Sequence, residues 1–329
     1  MIRVAVDAMG GDYAPEPIVT GTLDASALTD AELILVGDPT KMRLPQRLPS
    51  NVRIVKADDV ITMEDKPAEA VRKKLDASLV VCARMVKAKE ADALVTAGNT
   101  GAATAVSLLS WGRIKGVERP AIGTFMPSRT GPFLFLDCGA SPDVEASQIV
   151  EFALMGRAWS QKVMGIQDPK VGLLNIGEEP GKGNAFTKEA YGHLAPFPWF
   201  KGNVEGKDMF KSPPEVIVCE GFVGNMVLKS CEGVGEFIVA EILAAIPKGP
   251  ARLLFAPLKF ALKPLRSKID YAEYGGSPLL GVNGICIIGH GRSNAKAIRN
   301  AILNAVKAVE GDLVKAIGES VRILHEAGV

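Results

Sequence analysis

The sequence predicts an α/β fold with a mostly parallel sheet covered by helices on both faces. Three observations carry that expectation: short β-branched runs alternate with helical patterns along the whole chain, the helical stretches are amphipathic, and polar glycine loops follow the strands. Candidate strands are residues 2–6, 32–36, 52–56, 92–96, 120–126, 132–137, 170–175, 215–219 and 284–288. Pro67 to Glu90 reads as a helix opened by a proline in its first turn. Residues 293–310 place Ala297, Ile298, Ala301, Ile302, Ala305, Val306 and Val309 on one face, with Ser293 as the expected N-cap. The region 196–214, rich in Pro, Phe, Lys and Gly, is the least regular and reads as an insertion or a subdomain junction. No internal repeat or low-complexity linker interrupts the pattern.

At 329 residues the chain can bury a sizeable core, as two domains or one large one. Its 38 basic and 37 acidic side chains nearly cancel, so no global field attracts nucleic acid. The five cysteines, Cys82, Cys138, Cys219, Cys231 and Cys286, are scattered and form no CxxC pair. Reduced thiols in a cytoplasmic protein are the expectation. The opening residues, Met1 to Asp7, read as a strand with no signal peptide, and no apolar run is long enough to cross a bilayer. The protein is expected to be soluble, or at most to lie on a membrane surface.

The polar motifs each fall just after a predicted strand. Asp7-Ala8-Met9-Gly10-Gly11-Asp12 follows the first, and Gly98-Asn99-Thr100-Gly101 follows 92–96. Asn175 to Asn184, including Gly181-Lys182-Gly183, follows 170–174; Gly221-Phe222-Val223-Gly224-Asn225 follows 215–219; His290-Gly291-Arg292-Ser293-Asn294 follows 284–288. Glycines let backbone N–H groups approach an anion closely, and Lys182 adds a point charge. Five such loops on a parallel sheet predict one shared cleft at the carboxyl ends of the strands. Each residue also has a structural role open to it. Asn99, Asn184 and Asn225 fit helix N-caps, Asp7 and Asp12 fit turn-ordering carboxylates, His290 fits a structural histidine, and Lys182 fits a solvated loop lysine.

Several chemistries lack their residues. The chain has three histidines, His193, His290 and His325, and no HExxH, His/Cys cluster or DxDxDG loop, so no metal or other cofactor is expected. No GxSxG elbow is present, which disfavours an acyl-enzyme. Amides, backbone N–H groups, one lysine and one arginine suit stabilisation of negative charge. From Ile242 to Ile269 there is no acidic residue but there are Lys248, Arg252, Lys259, Lys263, Arg266 and Lys268. Phe255, Leu258, Leu262, Leu265 and Ile269 recur at helical spacing among them, interrupted by Pro257 and Pro264. This is either a core-packing helix with a solvated basic face or an element for an anionic membrane interface or acidic partner.

Taken together, these motifs resemble the bacterial phosphate acyltransferases of phospholipid synthesis, which convert acyl-acyl carrier protein and inorganic phosphate into acyl phosphate. The resemblance runs essentially the whole length and adds Met63-Glu64-Asp65-Lys66-Pro67, Gly202-Asn203-Val204-Glu205-Gly206, and Asp270-Tyr271 through Gly275-Gly276 to the loops above. It implies one domain over 1–329 with a three-layer α/β/α fold related to isocitrate/isopropylmalate dehydrogenases and phosphotransacetylases. It also implies a homodimer, peripheral membrane association and a downstream glycerol-3-phosphate acyltransferase. By that resemblance Lys182, Asn225 and His290 are the catalytic candidates. Gly10, Gly11, Gly98, Asn99, Thr100, Gly101, Gly181, Gly183, Asn184 and Ser293 are the phosphate-binding ones. Arg252, Phe255, Leu258, Lys259, Leu262, Lys263, Leu265 and Arg266 are candidates for membrane or carrier-protein contact. Two places depart from the family pattern: Asp137-Cys138-Gly139-Ala140-Ser141 is followed by Val144-Glu145 where Cys-Lys is common, and Arg292 stands where serine is more usual. Rival readings are a phosphotransacetylase-like enzyme using short acyl-CoA, and a non-catalytic anion-binding or membrane-scaffolding protein. A nicotinamide-dependent dehydrogenase is disfavoured, since no GxGxxG follows the first strand.

Overall fold

The computed structural model describes residues 1–245 and 271–326. Its strands are β1 (Arg3–Asp7), β2 (Glu32–Gly37), β3 (Val52–Lys56), β4 (Ala93–Thr96), β5 (Ala121–Met126), β6 (Phe133–Leu136), β7 (Val171–Asn175), β8 (Phe200–Glu205), β9 (Val216–Val218), β10 (Ser277–Leu280) and β11 (Ile285–Ile288). The helices are α1 (Glu16–Ser26), α2 (Pro67–Lys73), α3 (Ser78–Lys87), α4 (Thr100–Trp111), α5 (Gln148–Lys162), α6 (Ala185–Leu194), α7 (Gly221–Ala244), α8 (Ala295–Glu310) and α9 (Leu313–Glu326). Every predicted strand is present. The basic stretch with its candidates from Arg252 to Arg266 lies outside the described residues.

The strands form one sheet in the order β3-β2-β1-β4-β11-β10-β5-β6-β9-β7-β8. Alternate residues of each strand feed two cores. Val4, Val6, Leu33, Leu35, Leu134 and Leu136 join a core with α1, α5, α8 and α9, while Ala5, Ile34, Val36, Phe133 and Phe135 join a core with α2, α3, α4 and the inner side of α7. Helix layers on both faces therefore make a three-layer α/β/α fold, as expected. Trp159, Phe133, Phe135 and Phe152 are fully buried, and each stabilises by about 1.5–3 kcal/mol relative to exposure. The α1 and α8 backbones approach closely at Gly21, where a Cβ would lie 2.4 Å from the Ala295 carbonyl oxygen.

Two strands are absent from the sequence reading, and both matter. Strand β8 lies inside 196–214, which is an edge strand of the sheet rather than an insertion or a junction. Its core-facing pattern is weak because it is only half-buried. Strand β10, short and opened by Gly275-Gly276 and Pro278, pairs antiparallel with both β11 and β5. Since β5 and β6 are antiparallel too, three successive reversals make β6, β9, β7 and β8 run opposite to β1, β4 and β11. The sheet is mostly parallel, but the loops leave it in two groups instead of one row.

Two local expectations also change. The helix expected over Pro67–Glu90 breaks at Lys74–Ala77, because Lys74 Nζ turns to Asp65 and the Val60 carbonyl, each at 2.8 Å, and Ser78 N donates to the Asp59 carbonyl. The N-cap of α8 is Asn294, whose side chain accepts from Ala297 N, in place of Ser293. Asn225 lies inside the first turns of α7 and is not a cap.

Candidate functional site

The first loop group gathers at the carboxyl ends of β1, β4 and β11. At its base the buried Asp7 accepts from Ser78 Oγ at 2.6 Å and Thr96 Oγ1 at 2.7 Å, and Thr96 Oγ1 accepts in turn from Gly98 N at 3.1 Å. Burial pushes the Asp7 carboxyl above its ordinary range, opposed by these hydroxyl and backbone donors. Gly10 packs against Gly98 so closely that a Cβ would lie 2.4 Å from Asp7 Oδ2 and 2.9 Å from Gly98 N. Gly11, at φ +116°, sits against the carbonyls of Ala97 and Gly291, and Asp12 N donates to the latter at 2.8 Å. Gly10, Gly11, Gly98 and the 290–294 loop thus share one floor.

Asn99 spends its side chain on structure. Its Oδ1 caps α4 by accepting from Ala102 N at 3.0 Å, and its Nδ2 lies 3.3 Å from the carbonyls of Thr62, Met63 and Asp65. What this helix start leaves unpaired within the helix is the backbone of Thr100 and Gly101, whose N–H groups have no intrahelical acceptor. His290 Nδ1 accepts from Arg292 N at 3.1 Å, which puts the proton of the neutral ring on Nε2. Ser293 is buried against Gly289, and its hydroxyl has no partner among the described residues.

The second group surrounds β6, β9, β7 and β8. Lys182 N donates to the Glu179 carbonyl at 3.1 Å, closing a turn that displays an exposed lysine between Gly181 and Gly183. The chain then enters α6, where Asn184 caps by accepting from Thr187 N at 2.8 Å. A cation, a cap and a helix start with unpaired N–H groups meet within a few residues. Neighbouring β9 leads into α7, whose first turns expose Asn225 beside Gly139.

Asp137 is the organiser of this group that sequence reasoning passed over. Its carboxylate accepts from the N–H groups of Ile122 (2.8 Å), Gly139 (3.2 Å), Ala140 (3.0 Å) and Ser141 (2.8 Å). Burial raises its pKa against those donors. Gly221 and Gly224 bring α7 onto this loop: a Cβ would lie 2.6 Å from Asp137 Oδ2 at the first and 1.8 Å from the Asp137 carbonyl at the second. The spacing Gly221, Gly224 opening a helix was the available signal. Glu145 is exposed and stands outside this network; its N–H donates to Gln148 Oε1 at 3.1 Å and its carbonyl accepts from Gln148 N at 3.0 Å.

Helix α7 runs from one group to the other. It starts on the Asp137 loop, and its Glu236 meets Arg292 at 3.4 Å, about 16 Å further along the axis than Asn225 at 1.5 Å per residue. The structure therefore brings Gly10, Gly11, Gly98–Gly101, His290 and Ser293 together, and sets Gly181–Asn184 and Asn225 on the segments that follow the adjacent parallel strands β7 and β9. Cysteine chemistry is suppressed between them. Burial pushes the Cys138 and Cys286 thiols up to about 12, and those of Cys82 and Cys219 well above their ordinary value.

The family model described as "Fatty acid synthesis protein" matches residues 2–316. The chain belongs to this family. A phosphate acyltransferase of Desulfitobacterium hafniense strain Y51 is 50% identical over 323 residues, covering 96% of each chain. One of Moorella thermoacetica is 47% identical over 323 residues, covering 97% of this chain and 95% of its own. Membership carries the enzyme class, acyltransferase. Among solved structures, a phosphotransacetylase from Streptococcus pyogenes shares the fold at TM-score 0.60 and 16% identity, with 94% of both chains covered. A branched-chain phosphotransacylase from Enterococcus faecalis V583 does so at 0.58 and 15%, covering 94% of this chain and 99% of its own.

Proposed function

We propose that this acyltransferase moves a long-chain fatty acyl group reversibly from acyl carrier protein to inorganic phosphate, and that the acyl phosphate feeds phosphatidic acid and phospholipid synthesis. The observation that carries the reading is the Lys182 turn: a cation between two glycines, at the N-terminus of α6, beside the strand that leads to Asn225. Inorganic phosphate is largely ionised near neutral pH, so the protein need not generate a nucleophile. It holds the anion against a thioester carbonyl and stabilises the oxyanion that forms.

In this mechanism Lys182, Asn184 and the Gly98–Gly101 loop bind phosphate, with Gly10, Gly11 and Ser293 flooring the loop. A phosphate oxygen attacks the thioester carbon, and the carbonyl electron pair moves to oxygen. Collapse of the tetrahedral adduct breaks the carbon–sulfur bond and releases the carrier's thiolate. Asn225 or the Nε2–H of His290 donates to the carbonyl oxygen or to the departing sulfur. The two loop groups stand about 16 Å apart along the continuous helix α7, farther than one phosphate spans, so in this reading a second copy of the chain brings its Gly98–Gly101 loop to the Lys182 turn.

The apolar side chains on α7 support a homodimer. Phe222, Met226, Val234, Phe237, Ile238 and Val239 are all exposed on one helix, far more apolar surface than a solvated helix carries. Among the described residues no helix is long and apolar enough to cross a membrane. The 252–269 stretch, whose sequence mixes basic and apolar residues, is the proposed peripheral contact with an anionic bilayer.

Thiol release from a long-chain acyl carrier protein, with and without inorganic phosphate and with hydroxylamine trapping the product, tests the reading. Phosphate-dependent release of a trappable acyl phosphate is expected. Release only from short acyl-CoA would replace it with phosphotransacetylase-like activity, and phosphate binding without any release would make the protein a non-catalytic anion binder.

A further inference from the structure

Strand β8 carries an irregularity that decides where one amide points. Its register with β7 pairs Val171 with Phe200 but Leu173 with Asn203, so β8 holds one extra residue between the two pairs. Gly202 lies within this irregularity, at φ +94°, a conformation that favours glycine. Without the extra residue Asn203 would pair with Leu174 and face the opposite core. With it, Asn203 lies on the same face as Leu173 and Asn175, beneath the start of α6.

From there two asparagines grip the lysine turn. Asn203 Nδ2 donates to the Glu179 carbonyl at 2.8 Å, and Asn175 Nδ2 donates to the Lys182 carbonyl at 3.2 Å, while Asn175 Oδ1 accepts from Ile176 N at 2.8 Å. The first and last carbonyls of the turn closed by Lys182 N are thus each held by an amide from the sheet. Gly183, at φ +98°, completes the seat: a Cβ there would lie 2.5 Å from Asn175 Oδ1. Asn203 Oδ1 is buried with no partner among the described residues. A strand needing only to be filled would be more stable with an apolar residue there, because half of this amide's hydrogen-bonding capacity is unmet. Flipping the amide would set oxygen against the Glu179 oxygen, so the Nδ2 contact fixes its orientation.

We propose that Asn203, aimed by the Gly202 bulge, is a positioning residue for Lys182: with Asn175 it sets where the ammonium group stands and thereby the affinity for phosphate. This rests on the proposed role of Lys182. The test replaces Asn203 by Leu, and by Ser in case Leu disturbs folding, in wild-type and Lys182→Ala backgrounds. In the wild type, KM for inorganic phosphate should rise about tenfold, the scale of one lost buried hydrogen bond, with kcat changed less. In the Lys182→Ala background the same substitution should change KM less than about twofold, because the group it positions is gone. Equal effects in both backgrounds, or no effect on KM in the wild type, overturn the proposal.

A second readout does not depend on catalysis. Acylation of Lys182 by acetic anhydride, which transfers an acetyl group to Nζ and releases acetate, followed by mass spectrometry, should be slowed by inorganic phosphate in the wild type and much less so in the Asn203 variants. Equal protection in both counts against Asn203. If phosphate protects Lys182 in neither protein, and Lys182→Ala retains normal KM, the assignment of Lys182 itself fails instead.

Discussion

Asp7 and Thr96, 89 residues apart in sequence, share a buried 2.7 Å hydrogen bond directly beneath the contact of Gly10 with Gly98. The same hydroxyl accepts from Gly98 N, so one oxygen links the carboxylate of β1 to the loop after β4. Thr96→Val keeps the shape and removes both bonds. It should cost about 1–3 kcal/mol of stability and weaken phosphate binding, checked by urea unfolding and by KM for phosphate.

Lys182→Ala removes the one cation of the turn at the start of α6. Turnover should fall by about 10²–10³-fold with folding intact, since the lost charge acts where negative charge develops. Steady-state rates with saturating acyl donor measure it, and near-normal kinetics would remove Lys182 from the mechanism.

Gly224→Ala places a Cβ 1.8 Å from the Asp137 carbonyl oxygen and 2.9 Å from Cys219 Sγ. Neither neighbour can move away, one being backbone and the other buried. A loss of about 1–3 kcal/mol is expected from the overpacking, together with reduced turnover as the Asn225 end of α7 lifts from its seat. Thermal unfolding and kcat on the same preparation report the two effects.

Glu151 gives a pH dependence of known sign. Burial pushes its carboxyl above the ordinary range, with the Glu118 N–H, His325 and Arg113 opposing. A group whose native pKa is raised contributes stability that is whole below its unfolded pKa and is lost as pH rises through the native one. Glu151→Gln removes that loss. The stability of the variant relative to wild type should therefore climb as pH rises from about 4 and level off above the raised pKa. Urea midpoints at stepped pH check it, and a relative stability that declines over the range contradicts it.

Phe237→Glu tests the apolar helix. Phe237 is 63% exposed, so the substitution leaves the core untouched, yet it puts a charge on the face assigned to a second copy. Sedimentation should shift from a two-chain to a one-chain mass with an unchanged circular dichroism spectrum. A mass of one chain in the wild type already would withdraw the dimer.

Much of the local structure was legible because it is written in contiguous residues. The apolar runs ending at Asp7, Thr96 and Asn175 are strands, and the one-sided pattern from Ala297 to Val309 is the inner face of α8. Asn99 and Asn184 are helix caps, as their place before a helix suggested. The half-buried edge strand β8 and the short β10 gave little periodicity to detect, and the break at Lys74–Ala77 depends on Asp59 and Asp65, residues outside the helical pattern.

The sequence by itself determined nine of the eleven strands, which loops carry glycine beside amide or charge, and, through the resemblance of those loops in order, the family. These are properties of neighbours along the chain, where side-chain periodicity and backbone freedom act directly. Only the tertiary structure decided that β5 and β6 meet antiparallel and so reverse half of the sheet, that α7 joins the two loop groups, and that a bulge at Gly202 turns Asn203 beneath Lys182. Those outcomes depend on pairing register and on contacts between residues far apart in sequence, and a shift of one residue in β8 would have sent the same amide into the other core.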